Sequence, residues 1–315
     1  MSTKTIFPNI KDPSETNEYL HVFFIVNPVT AIVSKLFIDK YNIAHNKVLI
    51  CSLRNADTSI FSHEIYSIKQ NIFERFATKF LKIATVTNKF LDLIEHKNKK
   101  FILYTSWAYT DTNITPSVAR IIQSKLCYGH FYIEEGQLSY SSVEPYKSED
   151  FVKDKAKYIA NSKYIFRTDS LGYIGLFDDV FPMIPREKRI LINNFEILKE
   201  TYDPKLIGVH DIGITCAIRR LKNNEWKKML VTLINNMPNG GVIKLHPSFI
   251  VNMKIKQKIE QIFNEIAPEN ISLCPNDVIL EIEMLFEKKK LIGSRSSLNN
   301  YAAKLGSKFS YIELY

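Results

Sequence analysis

The chain contains 315 residues, of which 45% are hydrophobic, and it carries a formal net charge of +9 at pH 7. This length is sufficient for two domains of ordinary size, and the hydrophobic fraction excludes a globally disordered chain. An excess of basic over acidic residues favours binding to nucleic acid, anionic membranes or phosphorylated substrates. The sequence has no RNA-binding signature and no zinc-finger spacing, so we expect no nucleic acid partner.

The first half of the chain alternates between apolar runs of strand length and helical stretches. Strands are predicted over residues 21–27, 47–53, 101–107 and 130–133. Helices are predicted over residues 29–41, 66–93, 117–126 and 149–160. Continuous apolar strands separated by helices are typical of a parallel sheet that is covered on both faces. We therefore predict a Rossmann-like N-terminal domain over residues 1–165.

A less regular stretch separates this domain from a second alternating series. Residues 166–205 are predicted to be an interdomain region because Gly172, Gly175, Pro182 and Pro185 interrupt any regular pattern. Beyond it, strands are predicted over residues 206–214, 241–245, 271–274, 290–292 and 309–314. Helices are predicted over residues 225–235, 253–266, 278–286 and 298–305. This series predicts a second Rossmann-like domain over residues 206–315.

The predicted fold class is therefore α/β. Two consecutive Rossmann-like halves of this size fit the GT-B architecture, in which both domains face a central cleft that holds the ligands. Three polar motifs follow predicted strands of these halves. Their side chains are a carboxylate, an imidazole and a pair of hydroxyls, which is the set needed to move a sugar from a phosphate-linked donor to a hydroxyl.

The first motif is Glu134-Glu135-Gly136, at the end of a predicted strand. Adjacent strand residues point to opposite faces, so we expect only one of the two carboxylates to face a ligand. A carboxylate beside an apolar wall or another negative charge has a raised pKa, which improves it as a general base near neutral pH. The alternative is a solvated acidic turn before Gly136.

The second motif extends from Lys244 to Pro247. Lys244 and His246 are two residues apart on one strand and share a face, where an ammonium and an imidazole would suit a donor phosphate. A protonated His246 would act as a general acid toward the leaving phosphate oxygen. Pro247 prevents further strand pairing and fixes the exit from the strand, and we count it with Lys244 among the donor-binding residues. The alternative for His246 is a structural role at the end of a strand.

The third motif contains Ser296 and Ser297, which precede a predicted helix. A helix N-terminus with hydroxyl side chains is a phosphate site, and serine is also a preferred N-cap, so the two interpretations are compatible. Glu281 lies on the helix between the second and third motifs, after Pro275. It is a candidate for donor binding, and the alternative is a position on a surface helix.

Several motifs that would indicate other chemistry are missing from the sequence. There is no Asp-x-Asp, no Walker loop, no GxGxxG and no GxSxG, which argues against metal-dependent GT-A transferases, ATP or NAD enzymes and α/β-hydrolases. The four cysteines have no metal-ligand spacing. We therefore expect no metal and no cofactor.

The N-terminal 18 residues lack the apolar core of a signal peptide, and no apolar run approaches the ~20 residues of a membrane span. These features predict a cytoplasmic protein. The lysine-rich segment 97–100 is either a solvated helix end or a contact with anionic lipid. The second interpretation predicts peripheral contact with the cytoplasmic face of the inner membrane.

The ordered set of an acidic-acidic-Gly motif, a His-Pro motif and a Ser-Ser motif resembles the bacterial GT-B sialyltransferases. The resemblance is to the lipooligosaccharide sialyltransferases of glycosyltransferase family 52 and to the capsule polysialyltransferases. The opening run from His21 to Pro28 also resembles their first strand and loop. The resemblance covers roughly a dozen residues of the chain.

The resemblance implies an inverting, metal-independent transferase that uses CMP-sialic acid or a related nonulosonic acid. It implies that Glu134, or else Glu135, is the base and that His246 assists departure of CMP. It also implies that Ser296 and Ser297 bind the CMP phosphate and that Glu281 holds the ribose. The implied partners are a CMP-sugar donor and a glycolipid or polysaccharide acceptor, such as a galactose-ended lipooligosaccharide or a capsule chain.

Two further functions stay open from the sequence. One is a GT-B transferase with another nucleotide-sugar donor, such as a hexose nucleotide. The other is a non-catalytic protein that binds a glycan or a nucleotide, although three intact polar motifs argue against a decayed site.

Overall fold

The structure, a computed structural model, describes residues 18–53, 56–68, 85–97, 99–107, 115–143, 166–216, 225–246, 249, 253–294 and 296–314. The chain divides into two compact units, residues 1–194 and 195–315. Each unit is described by itself.

The first unit is built on a seven-stranded sheet. Its strands are β1 (Leu20–Ile25), β2 (Val48–Leu53), β3 (Ile65–Ile68), β4 (Phe101–Thr105), β5 (Cys127–Ile133), β6 (Gly172–Gly175) and β7 (Arg189–Leu191). Their order in the sheet is β3-β2-β1-β4-β5-β6-β7, and every neighbouring pair is parallel. The direction of chain progression reverses between β1 and β4, which is the arrangement of a Rossmann-type sheet.

The described α-helices of this unit are α1 (Pro28–Lys40), α2 (Thr85–His96) and α3 (Thr115–Ile122). Helix α1 begins where it does because Asn27 is its N-cap. The Asn27 side chain accepts from the Thr30 N–H at 2.9 Å, and the Thr30 hydroxyl accepts from the Asn27 N–H at 3.1 Å. Pro28 suits the first helical position because its missing N–H would have no intrahelical partner there.

An aromatic stack fills one face of the first sheet. The rings of Phe23 and Tyr104 lie 4.1 Å apart, and those of Tyr104 and Phe131 lie 5.1 Å apart. Phe37 of α1 packs against this stack. His21 closes it at the amino end, where its Nδ1 lies 2.8 Å from the Tyr104 hydroxyl. Burial of each phenyl ring contributes about 2 kcal/mol, so β1, β4 and β5 are held together largely by this layer.

The second unit contains a five-stranded sheet with the same type of topology. Its strands are β8 (Asp211–Ile214), β9 (Gly241–Lys244), β10 (Ile271–Leu273), β11 (Lys290–Gly293) and β12 (Lys308–Tyr311). Their order is β10-β9-β8-β11-β12, and all neighbours are parallel. Its helices are α4 (Glu196–Thr201), α5 (Glu225–Asn235), α6 (Met253–Ile266), α7 (Leu280–Phe286) and α8 (Ser297–Lys304). The reversal point of this sheet lies between β8 and β11.

The predicted α/β class with two Rossmann-like parallel sheets is confirmed. Within the described residues, the differences concern short elements. Residues 65–68 form strand β3, although the apolar pattern from residue 66 onward predicted a helix. The segment 166–205, predicted to connect the domains, contains β6 and β7, which pair in the first sheet. The predicted domain limits stay a prediction, and the helix predicted over 149–160 lies outside the described residues.

Strand β6 was missed because its two glycines are usual signals of a turn. In the structure, Gly172 lies against Phe131 of β5, and Gly175 lies against Val180 and Glu134. A Cβ atom at residue 172 would lie 3.1 Å from the Phe131 ring, so a small residue leaves room for that ring. Among the described helices, none is long and apolar enough to cross a membrane.

Gly293 allows β11 to approach β8 closely at the reversal point, and its replacement provides a test of this fold. A Cβ atom at this position would lie 2.4 Å from the backbone oxygen of Ile214, which cannot rotate away. We expect Gly293→Ala to lower the free energy of unfolding by about 3 kcal/mol, measured by urea denaturation.

Gly208→Ala is the matched control for this measurement. Gly208 has a positive φ of 79°, but no atom lies within 4 Å of its added Cβ, so only backbone strain is introduced. We expect this variant to lose about 1 kcal/mol. An equal loss in both variants would contradict the close approach of β11 to β8.

Candidate functional site

In open parallel sheets, ligands bind beyond the carboxyl ends of the strands, at the point where strand order reverses. In the first sheet, the loops at this edge follow β1, β4, β5 and β6. In the second sheet, they follow β8, β9 and β11. All three predicted motifs lie at one of these two edges. The sections of chain that carry them are described below, unit by unit.

Glu134 follows β5 directly and is fully buried, with 0% of its surface exposed. Its Oε1 accepts from the Tyr140 hydroxyl at 2.5 Å, and its Oε2 accepts from the Leu176 N–H at 2.7 Å. Tyr140 belongs to a short 3-10 helix, Gln137–Tyr140, and Leu176 follows β6. The carboxylate of Glu134 thus ties the end of β5 to the end of β6 and to the loop between them.

Glu135 is only half-buried, and its backbone is fixed from two sides. Its N–H donates to the Ser139 hydroxyl at 3.0 Å, and its carbonyl accepts from the Asn27 side-chain amide at 2.6 Å. Asn27 also caps α1, so it links the loop after β1 to the loop after β5 across the end of β4. Of the two acidic residues, Glu135 is the more exposed as a whole, although its Oε1 is buried.

Ser106 lies at the same edge, directly after β4, and its side chain has 0% exposure. Within the part of the chain that the structure describes, its hydroxyl has no hydrogen-bond partner. A buried hydroxyl without a partner costs free energy, which distinguishes Ser106 from an ordinary loop serine. Asn27 and Ser106 were both missed by the sequence analysis. An Asn before Pro28 at a strand end was the available signal for Asn27.

In the second unit, Thr215 connects the ends of β8 and β9. It is buried, and its hydroxyl accepts from the His246 N–H at 2.7 Å and donates to the Lys244 carbonyl at 3.3 Å. The backbone of His246 is further fixed by Phe249, whose N–H donates to its carbonyl at 2.9 Å. The sequence analysis also missed Thr215, since a threonine after a short strand carries no motif.

The imidazole of His246 is partly buried, and this burial lowers its pKa from the ordinary value. A lowered pKa favours the neutral ring near neutral pH. A neutral imidazole can donate one hydrogen bond to a phosphate oxygen, but it supplies neither positive charge nor an acidic proton. A hydrogen-bonding role is compatible with a neutral ring, and the predicted general-acid role of His246 stays a prediction.

The ammonium of Lys244 is held by the loop that follows β10. It donates to the carbonyl oxygens of Pro275, Asn276 and Val278 at 3.2, 3.2 and 2.8 Å. In this arrangement its three donors organise the protein's own loop. Its predicted role in donor binding stays a prediction, because a phosphate would have to replace these carbonyl groups.

Glu281 lies near the start of α7 and is 8% exposed. Burial raises its pKa, and the charge of Lys244 partly offsets this rise. It is therefore not the surface-helix residue that was the alternative. Its predicted contact with a ribose stays a prediction. Pro247, also predicted to bind the donor, lies outside the described residues.

Ser296 is the N-cap of α8, at the carboxyl end of β11, and Ser297 is the first residue of that helix. The Ser296 N–H and hydroxyl both lie close to the Asn299 side-chain oxygen, at 3.1 and 3.2 Å. This capping leaves the helix N-terminus pointing to the carboxyl edge of the sheet. Strand β11 is next to β8 in the sheet, and β8 is next to β9. The third motif therefore lies at the same edge as Thr215 and His246.

No protein-family model and no curated protein matches the sequence. Among solved structures, a UDP-GlcNAc 2-epimerase from Neisseria meningitidis, bound to UDP-GlcNAc, has 16% identity. The match covers 92% of this chain and 82% of that one, with a TM-score of 0.50.

Two further structures are similar. S. aureus MnaA, solved in complex with UDP, has 12% identity over 92% of this chain and 78% of its own, with a TM-score of 0.55. A Listeria monocytogenes protein assigned as a UDP-N-acetylglucosamine 2-epimerase has 12% identity over the same shares, with a TM-score of 0.56. At these identities the likeness establishes the fold alone.

These findings correct the predicted family. The resemblance to family 52 sialyltransferases is wrong, because the similar structures are UDP-GlcNAc 2-epimerases and not sialyltransferases. The assignment as a CMP-sialic acid-dependent enzyme is wrong for the same reason. The three motifs were too short to identify a family, since strand-end polar residues and a helix cap occur in many enzymes of this architecture.

No group of three or more metal-ligating side chains occurs among the described residues. The prediction that no metal is needed stays a prediction.

Replacement of Glu134 tests its role at the carboxyl edge. The Glu134→Gln variant has one amide oxygen and one NH₂ group in place of two carboxylate oxygens. Either the Tyr140 hydroxyl or the Leu176 N–H therefore loses its acceptor. We expect a loss of about 2 kcal/mol in the free energy of unfolding, measured by chemical denaturation.

Glu135→Gln is the matched control, because it makes the same change of side chain at the neighbouring position, which is half-buried where Glu134 is fully buried. We expect it to change stability by less than about 0.5 kcal/mol. If Glu134→Gln were as stable as the native protein, the carboxylate would not hold the loops together.

Proposed function

We propose that this protein binds a UDP-linked hexose or N-acetylhexosamine and transfers the sugar to a hydroxyl of an acceptor. The observation that carries the proposal is the meeting of His246, Thr215 and the N-terminus of α8 at the carboxyl edge of the second sheet. The fold supports it, because two of the similar structures hold UDP-GlcNAc or UDP.

The diphosphate is assigned to the edge formed by β9, β8 and β11. The N-terminus of α8 provides free N–H groups and a positive dipole end, which favour an anion. A neutral His246 donates a hydrogen bond to a phosphate oxygen, and Thr215 fixes the backbone of His246. This arrangement binds a diphosphate mainly through N–H and O–H donors. Such donors suit UDP because its phosphates are already negatively charged before the sugar is transferred.

In the transfer reaction, the acceptor oxygen forms a bond to the anomeric carbon of the sugar. The bond between that carbon and the β-phosphate oxygen breaks, and the electron pair leaves with UDP. The proton of the acceptor hydroxyl passes to a carboxylate, for which we assign Glu135. Glu134 is assigned a positioning role, because it is fully buried and both of its oxygens are hydrogen-bonded within the protein.

A second candidate function is epimerisation at C2 of a UDP-linked sugar. It is favoured by the names of the similar solved structures. This reaction breaks the C2–H bond and returns a proton to the other face of C2, with no acceptor. The two functions share nucleotide binding, and they differ in whether free UDP is released and in whether solvent protons enter C2.

Nucleotide selectivity tests the donor site. We expect UDP to stabilise the protein against heat and CMP to have a much smaller effect. At a UDP concentration of about 100 times Kd, the stabilisation is about 2.7 kcal/mol. Ser296→Ala with Ser297→Ala, and separately His246→Ala, should each weaken UDP binding by about tenfold, measured by calorimetry.

Ser272→Ala with Ser310→Ala is the matched serine control, because these residues lie on the edge strands β10 and β12, away from the reversal point. This control should bind UDP as the native protein does. If the Ser296 and Ser297 variant binds UDP unchanged, the serines are only a helix cap and the assigned diphosphate site is wrong.

The base assignment is tested by turnover. We expect Glu135→Gln to lower kcat by about 100-fold with a UDP-sugar donor, while UDP binding is retained, because a general base acts on the reacting proton and not on the nucleotide. Release of UDP from a panel of UDP-sugars and sugar acceptors is the measurement. Full activity in Glu135→Gln would reject this residue as the base.

The same assay in D₂O separates transfer from epimerisation. Transfer predicts acceptor-dependent UDP release and no deuterium at C2 of the recovered donor. Deuterium at C2 without an acceptor, together with the C2 epimer, would replace the transferase proposal with the epimerase.

A further inference from the structure

The amino ends of four adjacent strands form one edge of the first sheet, opposite the edge that carries Glu134. These strands are β2, β1, β4 and β5, in that order. The residues that lead into them are rich in lysine. Lys47 precedes β2, Lys99 and Lys100 precede β4, and Lys125 lies two residues before β5. The sheet topology thus gathers lysines that are far apart in sequence along one edge.

A cavity of about 350 Å³ opens at this edge. It is lined by Leu20, His45, Asn46, Glu64, Lys97 and Lys99. Lys97 forms an ion pair with Glu64 at 2.9 Å, so these two charges compensate each other. Lys99 has no acidic partner within the described residues, which leaves the lining with a net positive charge.

Two tyrosines lie beside these lysines. Tyr19, immediately before β1, stacks on Tyr128 of β5 with ring centroids 4.4 Å apart. Tyr128 is 43% exposed, although it lies in a strand that is otherwise largely buried. An exposed tyrosine pair flanked by lysines has the composition that proteins place at the interface between water and lipid headgroups.

We propose that the amino edge of the first sheet binds the surface of an anionic bilayer, with one lipid phosphate in the cavity beside Lys99. The edge carries Lys47, Lys97, Lys99, Lys100 and Lys125. Glu18 and Glu64 lie at the same edge, and Glu64 is already paired with Lys97. This surplus of positive charge suits anionic headgroups, and the tyrosine rings suit the headgroup layer.

This surface is independent of the assigned donor site, which lies on the second sheet. It also gives a structural meaning to the lysine-rich segment 97–100. In the fold, Lys99 and Lys100 lie at the same edge of the sheet as Lys47, because only strand β1 separates β2 from β4. Vesicle binding needs no substrate and no turnover, so its result does not depend on the proposed reaction.

The test is co-sedimentation of the full chain with vesicles of phosphatidylcholine, with and without about 30% phosphatidylglycerol. We expect binding only to the anionic vesicles, and a loss of binding as salt is raised above about 0.15 M. Each lysine at the surface of an anionic membrane raises the partition coefficient of a protein onto that membrane about fivefold. The variant Lys47→Gln, Lys99→Gln, Lys100→Gln should therefore bind about 100-fold more weakly.

The variant Lys227→Gln, Lys228→Gln, Lys254→Gln is the matched control. It removes the same net charge from exposed positions of α5 and α6 in the second unit. It should keep native binding. Glu64→Gln should instead strengthen binding to the anionic vesicles by about fivefold, because it removes an acidic group from the cavity. Thermal melting should show that all three variants are folded.

Three results would overturn the proposal. The first is equal binding to neutral and anionic vesicles. The second is an equal loss in the two triple-lysine variants, which would show an effect of net charge rather than of this edge. The third is saturable stabilisation by glycerol phosphate in solution, abolished by Lys99→Gln, without vesicle binding. That last result would assign the cavity to a soluble phosphate compound.

Discussion

Parallel pairing of the strands is the constraint on which the other features of this protein depend. A parallel sheet must be covered on both faces, because each connection between neighbouring strands crosses a face of the sheet. In the first unit this produces continuous apolar strands such as β1 and β2, in which every residue is buried. It also sends every strand in one direction, so all loops at the carboxyl ends meet at one edge. The candidate site residues of each unit lie at this edge, because the faces are occupied by the connections.

Buried carboxylates organise the loops at these edges. Glu134 binds the Tyr140 hydroxyl and the Leu176 N–H in the first unit. In the second unit, the fully buried Glu283 accepts from the N–H groups of Lys205 and Leu206 at 2.8 and 3.1 Å. Both carboxylates compensate backbone donors that a buried loop would otherwise leave without partners, which is costly.

The pair Glu134 and Glu135 shows why a motif does not assign roles. Both residues are acidic, and they are consecutive, so the sequence offers two candidates for one base. The alternation of side chains at the end of β5 buries Glu134 against β6 and leaves Glu135 half-buried. The same limitation applies to the family. Three short motifs resembled sialyltransferases, yet the similar structures are UDP-GlcNAc 2-epimerases, because short motifs at strand ends do not identify a family within a common fold.

The sequence by itself determined the α/β class and most of the long elements. Helices α5 and α6 have the predicted limits, because their apolar periodicity is a local property of residues 225–235 and 253–266. Only the tertiary structure decided the partners of the polar groups. It showed that Lys244 binds three carbonyls of a distant loop, that Thr215 holds His246, and that β6 is a strand. These features depend on contacts between segments that are far apart in the chain, and local patterns of hydrophobicity and motif spacing carry no record of such contacts.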